Sequence, residues 1–167
     1  MATRGLVLLA KDTFSGVSSV SFDDVFSNTY KQYKIIIHMS SPSGAYAYMR
    51  MRAGGSDNSS GNYMRTYFSA SSTTVSCARA QSQTRIDGVA ELNTYENINY
   101  LEILNPYQST YTIVTVGNND TSAGNLILRK LVAGLNVTTS YDGFSLAPSD
   151  FSGTLFSGTV TLYGLAQ

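Results

Sequence analysis

The sequence predicts an all-β protein, and more specifically a single jelly-roll-like antiparallel β-sandwich. Two observations lead to this fold class. Short runs of β-branched and aromatic residues recur along the 167 residues, separated by clusters of Gly, Asn, Asp and Ser, a spacing typical of sandwiches and barrels. The hydrophobic fraction is 43% and includes 12 Tyr and 7 Phe, which excludes a disordered chain. Because this length suits one core, a single domain is expected over residues 1–167.

Eleven candidate strands follow one another along the chain. Their bounds are Leu6–Ala10, Val17–Phe22, Tyr33–Met39, Tyr46–Ala53, Tyr63–Ala70, Val75–Ala80, Leu101–Asn105, Thr110–Val116, Leu126–Ala133, Phe144–Leu146 and Gly158–Leu165. Gly54–Asn62 is expected to be a long hairpin loop and Gly117–Asn125 a second loop. Asp23–Asn28 and Val89–Ile98 are the only two stretches that could hold a helical turn or two. Thr110–Val116 has apolar residues on both faces, which predicts a central strand covered on both sides.

Two consecutive strands carry the most informative pattern. Side chains alternate between the two faces of a strand, so Tyr46–Ala53 separates an apolar face of Ala and Met from a polar face of Tyr and Arg. Tyr63–Ala70 separates Met64, Thr66 and Phe68 from a second Tyr and Arg face. If the two strands pair as a hairpin, one surface carries Tyr46, Tyr48, Arg50, Arg52, Tyr63, Arg65 and Tyr67.

This Tyr and Arg surface has three possible interpretations. Tyr and Arg are enriched in binding interfaces because they combine large contact area with directional donors, which favours an interface with a partner protein. Alternatively, the rings pack on a second layer while the Arg heads reach water. Sugar binding is the third possibility, since aromatic rings beside polar side chains also suit glycans.

The composition offers little for catalysis. The chain has one His and one Cys, and no Gly-x-Ser-x-Gly motif accompanies His38, which we interpret as a partly exposed structural residue. Cys77 is interpreted as a small buried hydrophobe. We therefore predict no catalytic residue, no metal site and no cofactor, and hence no enzyme.

The charge and hydropathy pattern also excludes two kinds of partner. Lys and Arg together number 11, and Asp and Glu together also number 11. This balance argues against nucleic-acid binding, because non-specific binding to nucleic acid requires clustered cations. No run approaches the ~20 apolar residues of a membrane span.

The two ends of the chain carry recognisable motifs. Leu8–Phe22 and Tyr30–Ile37 lie near the start, and Phe151–Leu165 closes the chain with the pattern S-G-T-(I or V)-x-L-Y-G. In this ending, alternation places Val160 and Leu162 inward, and Gly164 permits a bend or a close approach. These segments resemble a type of β-sandwich protein found in tailed-bacteriophage virions, and with the strand order the resemblance spans most of the chain.

The resemblance implies a structural role in the virion, with no catalytic residues to carry over. A free-standing sandwich of this size favours a capsid decoration (cement) protein that binds the outer surface of the shell and stabilises it. The implied partner is the major capsid protein, the implied assembly a homotrimer, and the implied location the capsid exterior after synthesis in the host cytoplasm. The alternative is a receptor- or glycan-binding module of a short tail fibre or head fibre. The least favoured hypothesis is an enzyme, a glycan depolymerase.

Overall fold

The computed structural model of the chain describes residues 5–41, 46–71, 73–92, 97–122, 125–148 and 154–166, and within these ranges it contains strands and no helix. The strands are β1 (Gly5–Val17), β2 (Val20–Phe22), β3 (Gln32–Ser40), β4 (Tyr46–Ala53), β5 (Ser56–Asp57), β6 (Tyr63–Ser71), β7 (Thr74–Gln83), β8 (Ile86–Glu91), β9 (Asn97–Leu104), β10 (Ile113–Ser122), β11 (Asn125–Leu135), β12 (Gly143–Pro148) and β13 (Phe156–Ala166).

These strands form two antiparallel sheets of unequal size, so the protein is a β-sandwich, as predicted. The larger sheet has the order β1-β13-β3-β9-β10-β11-β6-β7. The smaller sheet has the order β2-β12-β4-β5, and β8 pairs with β4 on the same side as β5. The pairing of β1 with β13 joins the two ends of the described chain.

The hydrophobic core lies between the two sheets and follows the predicted alternation. The side chains that β3 and β4 contribute to this core are Tyr33, Ile35, Ile37, Met39, Ala47, Met49 and Met51. At one end, Phe144 of the smaller sheet stacks on Phe22, with ring centroids 4.8 Å apart, and lies 5.8 Å from Phe26. Burial of each such side chain stabilises the fold by about 1.5–3 kcal/mol.

The closing strand β13 behaves as its motif predicted. Val160 and Leu162 are fully buried. A Cβ placed on Gly164 would lie 2.6 Å from the ring of Tyr30, so this position requires glycine because an aromatic ring packs directly on the backbone. Residues 151–153 of the motif lie outside the described residues.

The larger sheet extends beyond the smaller sheet on its β6 and β7 side. Residues 74–79 of β7 are all exposed, and in β6 the first residue, Tyr63, is buried while the following positions are partly or fully exposed. The smaller sheet has too few strands to cover all eight strands of the larger sheet. The inward face of β6 and β7 is therefore open to water. Cys77 lies in this uncovered edge strand and is exposed; the prediction that it is buried was wrong.

Each of the eleven predicted strands overlaps an observed strand, but the predicted helical turns and loops were partly wrong. Val89–Ile98 contains the end of β8 and the start of β9, with residues 93–96 outside the described residues. Helix-forming Ala and Glu adopt a strand there because pairing with β4 outweighs local propensity. In Asp23–Asn28, the Val25 and Phe26 amides both donate to the Asp142 carbonyl oxygen, so they are not available for a helical turn.

Two loop predictions also need correction. Gly54–Asn62 contains the short strand β5, which turns back onto β4. The β10–β11 hairpin runs through most of Gly117–Asn125, pairing Ser122 with Asn125. β10 is central in its sheet, as predicted, but Tyr111 and Ile113 are exposed, so one of the two faces is not covered.

Candidate functional site

The seven predicted Tyr and Arg residues do not share one surface. β4 and β6 do not pair as a hairpin: β4 lies in the smaller sheet, whereas β6 lies between β11 and β7 in the larger one. The hairpin fails because β5 occupies the edge of β4, after which the chain crosses to the other sheet. The seven residues therefore divide into three groups with different surroundings.

Two of the tyrosines are structural. Tyr63 is 1% exposed and points into the core, where its hydroxyl accepts a hydrogen bond from the Met51 amide (3.0 Å) and donates one to the Asn58 carbonyl oxygen (2.9 Å). Its burial raises the pKa of the Tyr63 phenol. Tyr48 is 9% exposed, and the Arg85 and Arg50 guanidiniums lie 4.5 and 5.2 Å from its ring centroid.

Two of the arginines hold the end of β4 in place. Arg52 Nε donates to Asp23 Oδ1 at 2.7 Å, and its Nη atoms contact Asp57 and the Gly55 carbonyl oxygen. The hydrogen bond to Asp23 is the main cause that raises the pKa of Arg52. Arg50 Nε donates to the Thr84 carbonyl oxygen at 3.2 Å. Both side chains therefore have structural partners on their own side of the sandwich.

The other three residues, Tyr46, Arg65 and Tyr67, meet in a cleft between the two sheets. Its volume is about 460 Å³, within the range of small-molecule sites. We call it the intersheet cleft, and its lining residues are Tyr46, Arg65, Tyr67, Ser69, Arg85, Asp87, Gly88, Asn118, Arg129 and Leu131. The structure thus brings three predicted residues together with seven others. It does so because the Tyr and Arg face of β6 points inward, where the smaller sheet ends, while Met64 and Phe68 point outward.

Polar contacts from three strands of the larger sheet to β8 form the wall of the intersheet cleft. Arg129 Nη1 of β11 donates to Glu91 Oε2 at 2.9 Å. Arg65 Nη1 of β6 donates to the Asp87 carbonyl oxygen at 2.8 Å, and its Nη2 lies 3.8 Å from Asp87 Oδ2. Asn118 Nδ2 of β10 donates to the Gly88 carbonyl oxygen at 3.0 Å. These contacts add to the apolar packing of Ile86, Val89 and Ala90, which lie buried in the core, and together they fix β8 against the larger sheet.

The floor of the cleft belongs to a line of polar residues across the larger sheet. Strand register places one inward-facing residue from each of five neighbouring strands side by side, in the order Asn99, Asn118, Arg129, Ser69 and Ser76. We call this set the polar row. Asn99 is fully buried, and neither atom of its side-chain amide has a hydrogen-bond partner among the described residues.

Sequence reasoning missed most of the cleft. Arg85 immediately precedes β8 and Asp87 lies at its start, whereas Asn118 and Arg129 come from β10 and β11, and no spacing in the chain joins these three places. One signal was present: Val114, Val116 and Asn118 continue a single alternation, so an inward amide interrupts an apolar face. The predicted loop Gly117–Asn125 hides this signal, because Asn118 lies inside it.

A second surface lies on the outer face of the larger sheet. Along each strand, large apolar side chains that point outward alternate with residues that point inward, and the outward ones are 38–53% exposed. We call this set the outer band; its members are Met64, Phe68, Ile98, Tyr100, Ile113, Leu128 and Val132. Lys34, whose Nζ lies 5.6 Å from the Tyr100 ring centroid, is one of the few charges beside it.

The described residues contain no group of three His, Cys, Asp or Glu side chains placed to hold a metal ion. His38 lies half-buried in β3 beside Thr159 and Ile98, which agrees with its reading as a partly exposed residue. Within the described ranges, no helix is long and apolar enough to cross a membrane.

No family model matches the chain, and no curated protein matches it.

Proposed function

We propose that this chain is a structural protein of a tailed-phage virion, acting as a decoration (cement) protein on the outer surface of the capsid shell. The observation that carries the proposal is the outer band. Exposed apolar side chains gathered on one face mark interaction surfaces in soluble domains. The outer band lies on one face of a broad sheet backed by a packed core, with Thr66 and Lys130 among its apolar members. The resemblance of both chain ends to virion β-sandwiches supplies the class of partner, the major capsid protein.

The mechanism follows from mass action. A protein that binds the assembled shell better than the free shell subunits shifts the equilibrium towards the assembled state. The outer band supplies apolar contact area for the shell. The charged residues Lys34, Glu102 and Lys130 lie on the same face and fix the orientation in which the protein docks. A homotrimer is part of the proposal, because a closed symmetric assembly presents the same docking surface on every subunit.

The test is binding to capsid shells that lack this protein. We expect wild-type protein to co-sediment with the shells, with one copy or one trimer per regular lattice site in a mass count. Val132→Asp and Leu128→Asp place a charge in the outer band and should weaken co-sedimentation at least tenfold. Leu155→Asp is the matched control, because Leu155 is equally exposed but lies outside the outer band.

Two results would overturn the proposal. One is equal binding of wild type and both outer-band variants. The other is a count of only a few copies per particle, which would favour the alternative function as a receptor- or glycan-binding module of a fibre.

A further inference from the structure

We propose that the intersheet cleft is a binding site for an acidic sugar, that is, a pyranose ring that carries a carboxylate. The cleft lies between the sheets, whereas the outer band lies on the opposite face of β6, β10 and β11. The inference therefore does not depend on the proposed docking to a shell.

The charge of the cleft favours an anion. Among the described residues, the guanidiniums of Arg65, Arg85 and Arg129 gather there against the carboxylates of Asp87 and Glu91. Arg65 and Arg85 share the Asp87 carboxylate, and Arg65 is the more distant of the two, with its Nη2 3.8 Å from Asp87 Oδ2, so Asp87 supplies one negative charge for two cations. A ligand carboxylate provides the missing charge, and its two oxygens match the planar donor pair of a guanidinium.

Unpartnered polar atoms indicate that the anion also carries hydroxyl groups. Asn118 is 3% exposed, and its Oδ1 has no hydrogen-bond partner among the described residues. Arg65 Nε is likewise buried without a partner in that part of the chain. Buried polar atoms are normally satisfied. An amide oxygen requires a donor and a guanidinium nitrogen requires an acceptor, so a simple carboxylate satisfies only one of the two, whereas a hydroxylated carboxylate satisfies both.

The shape of the cleft favours a sugar ring. Tyr46 and Tyr67 line it beside Leu131, and aromatic rings with adjacent polar groups present both an apolar surface and hydrogen-bonding tips. Arg129 covers one face of Tyr46, with its guanidinium 4.9 Å from the ring centroid, and thereby fixes the ring at the cleft wall. A volume of about 460 Å³ holds a compact ring ligand. An acidic peptide, which is extended, is the competing occupant.

The experiment is an NMR titration of the full chain with four probes. Glucuronate is the acidic sugar, glucose is the same ring without the carboxylate, acetate is the carboxylate without the ring, and a glutamate-rich peptide is the competing occupant. We expect glucuronate to bind with a Kd of about 1 mM and to shift the amides of Arg65, Tyr67 and Asn118. Glucose, acetate and the peptide should each bind at least tenfold more weakly.

Variants then localise the site. Arg65→Gln removes one charge but retains a donor for the Asp87 carbonyl oxygen, and we expect glucuronate binding to weaken at least tenfold. Arg79→Gln is the matched control, because Arg79 lies exposed in β7 outside the cleft, and its binding should equal wild type. Val132→Asp in the outer band should also bind glucuronate as wild type does, which separates this site from the proposed docking surface.

A second cleft variant separates a loss of binding from a loss of folding. Arg129→Lys keeps a cation opposite Glu91 and loses the planar fork, so we expect a wild-type melting temperature with weaker glucuronate binding. The inference is overturned if glucose, acetate or the peptide binds as tightly as glucuronate. It is also overturned if the shifted amides lie outside the cleft, or if folded Arg65→Gln and Arg129→Lys bind like wild type.

Discussion

The core and the intersheet cleft lie on the same inward face of the larger sheet but differ in what covers them. Along β10, Val114 and Val116 are buried beneath the smaller sheet, whereas Asn118, two residues further, enters the polar row. Along β11, Leu131 is buried and Arg129 pairs with Glu91. Inward-facing residues of one strand therefore belong either to the core or to the cleft, depending on where the opposite sheet ends. They are apolar beneath the smaller sheet and polar beyond its edge.

The largest expected difference between the two regions concerns their aromatic rings. Phe144 is fully buried between Phe22 and Phe26, so Phe144→Ala should lower the free energy of unfolding by about 3–5 kcal/mol. Tyr67 lies half-buried at the cleft, and Tyr67→Ala should cost about 1–2 kcal/mol because less area is lost and the space opens to water. Urea unfolding midpoints measure both. Equal losses would show that the cleft is packed like the core.

The sequence predicts the features of this contrast that depend on neighbouring residues better than those that depend on contacts between distant strands. Alternation within a strand is local, so the inward set Ala47, Met49 and Met51 was predicted correctly. In β6, alternation was also correct, but the sequence left open whether the Tyr and Arg face lies on an outer surface or packs on a second layer, and the structure turns this face inward. Met64 and Phe68 are more hydrophobic than Tyr67 and Arg65, yet they point outward, because β6 lies where the smaller sheet ends.

The site could be predicted less well than the fold for the same reason. Tyr46, Arg65 and Tyr67 were singled out from their residue types, and the structure brings them together. Their meeting in one cleft depends on β8, which is not among the eleven predicted strands, and on crossovers that place β6 next to β11. No local pattern encodes which strands become neighbours across such connections.

A second, smaller difference separates two tyrosines of β6. The Tyr63 hydroxyl has two hydrogen bonds in the buried region, to Met51 and Asn58. Tyr63→Phe leaves the Met51 amide and the Asn58 carbonyl oxygen without this partner, so we expect a loss of about 1–3 kcal/mol. Tyr67→Phe, four residues along the same strand, should cost less than about 0.5 kcal/mol because water reaches the cleft. Thermal unfolding of both variants measures the contrast. A loss at Tyr67 as large as that at Tyr63 would contradict the division of β6 into a buried and a wet half.

The smallest expected effect is a difference in pH dependence, and it tests the dryness of the core directly. Burial raises the pKa of Tyr33, Tyr63 and Tyr141 in the folded protein, whereas the unfolded chain ionises them near pH 10. Below about pH 10 both states hold the phenol protons, and these groups contribute no pH dependence. Above it, the unfolded state loses protons that the folded state keeps, so stability falls as pH rises, by about 1.4 kcal/mol per pH unit for Tyr63, whose pKa burial raises far above 10.

Tyr63→Phe removes one of these three groups. Between about pH 9 and about pH 11, the variant should therefore lose about 1.4 kcal/mol less stability than wild type, although it is less stable at neutral pH. Urea unfolding at several pH values gives both curves. Parallel curves would mean that the Tyr63 phenol ionises as readily in the folded protein as in the unfolded one. Water would then reach the β6 side of the core, and the boundary between core and cleft would have to be moved past Tyr63.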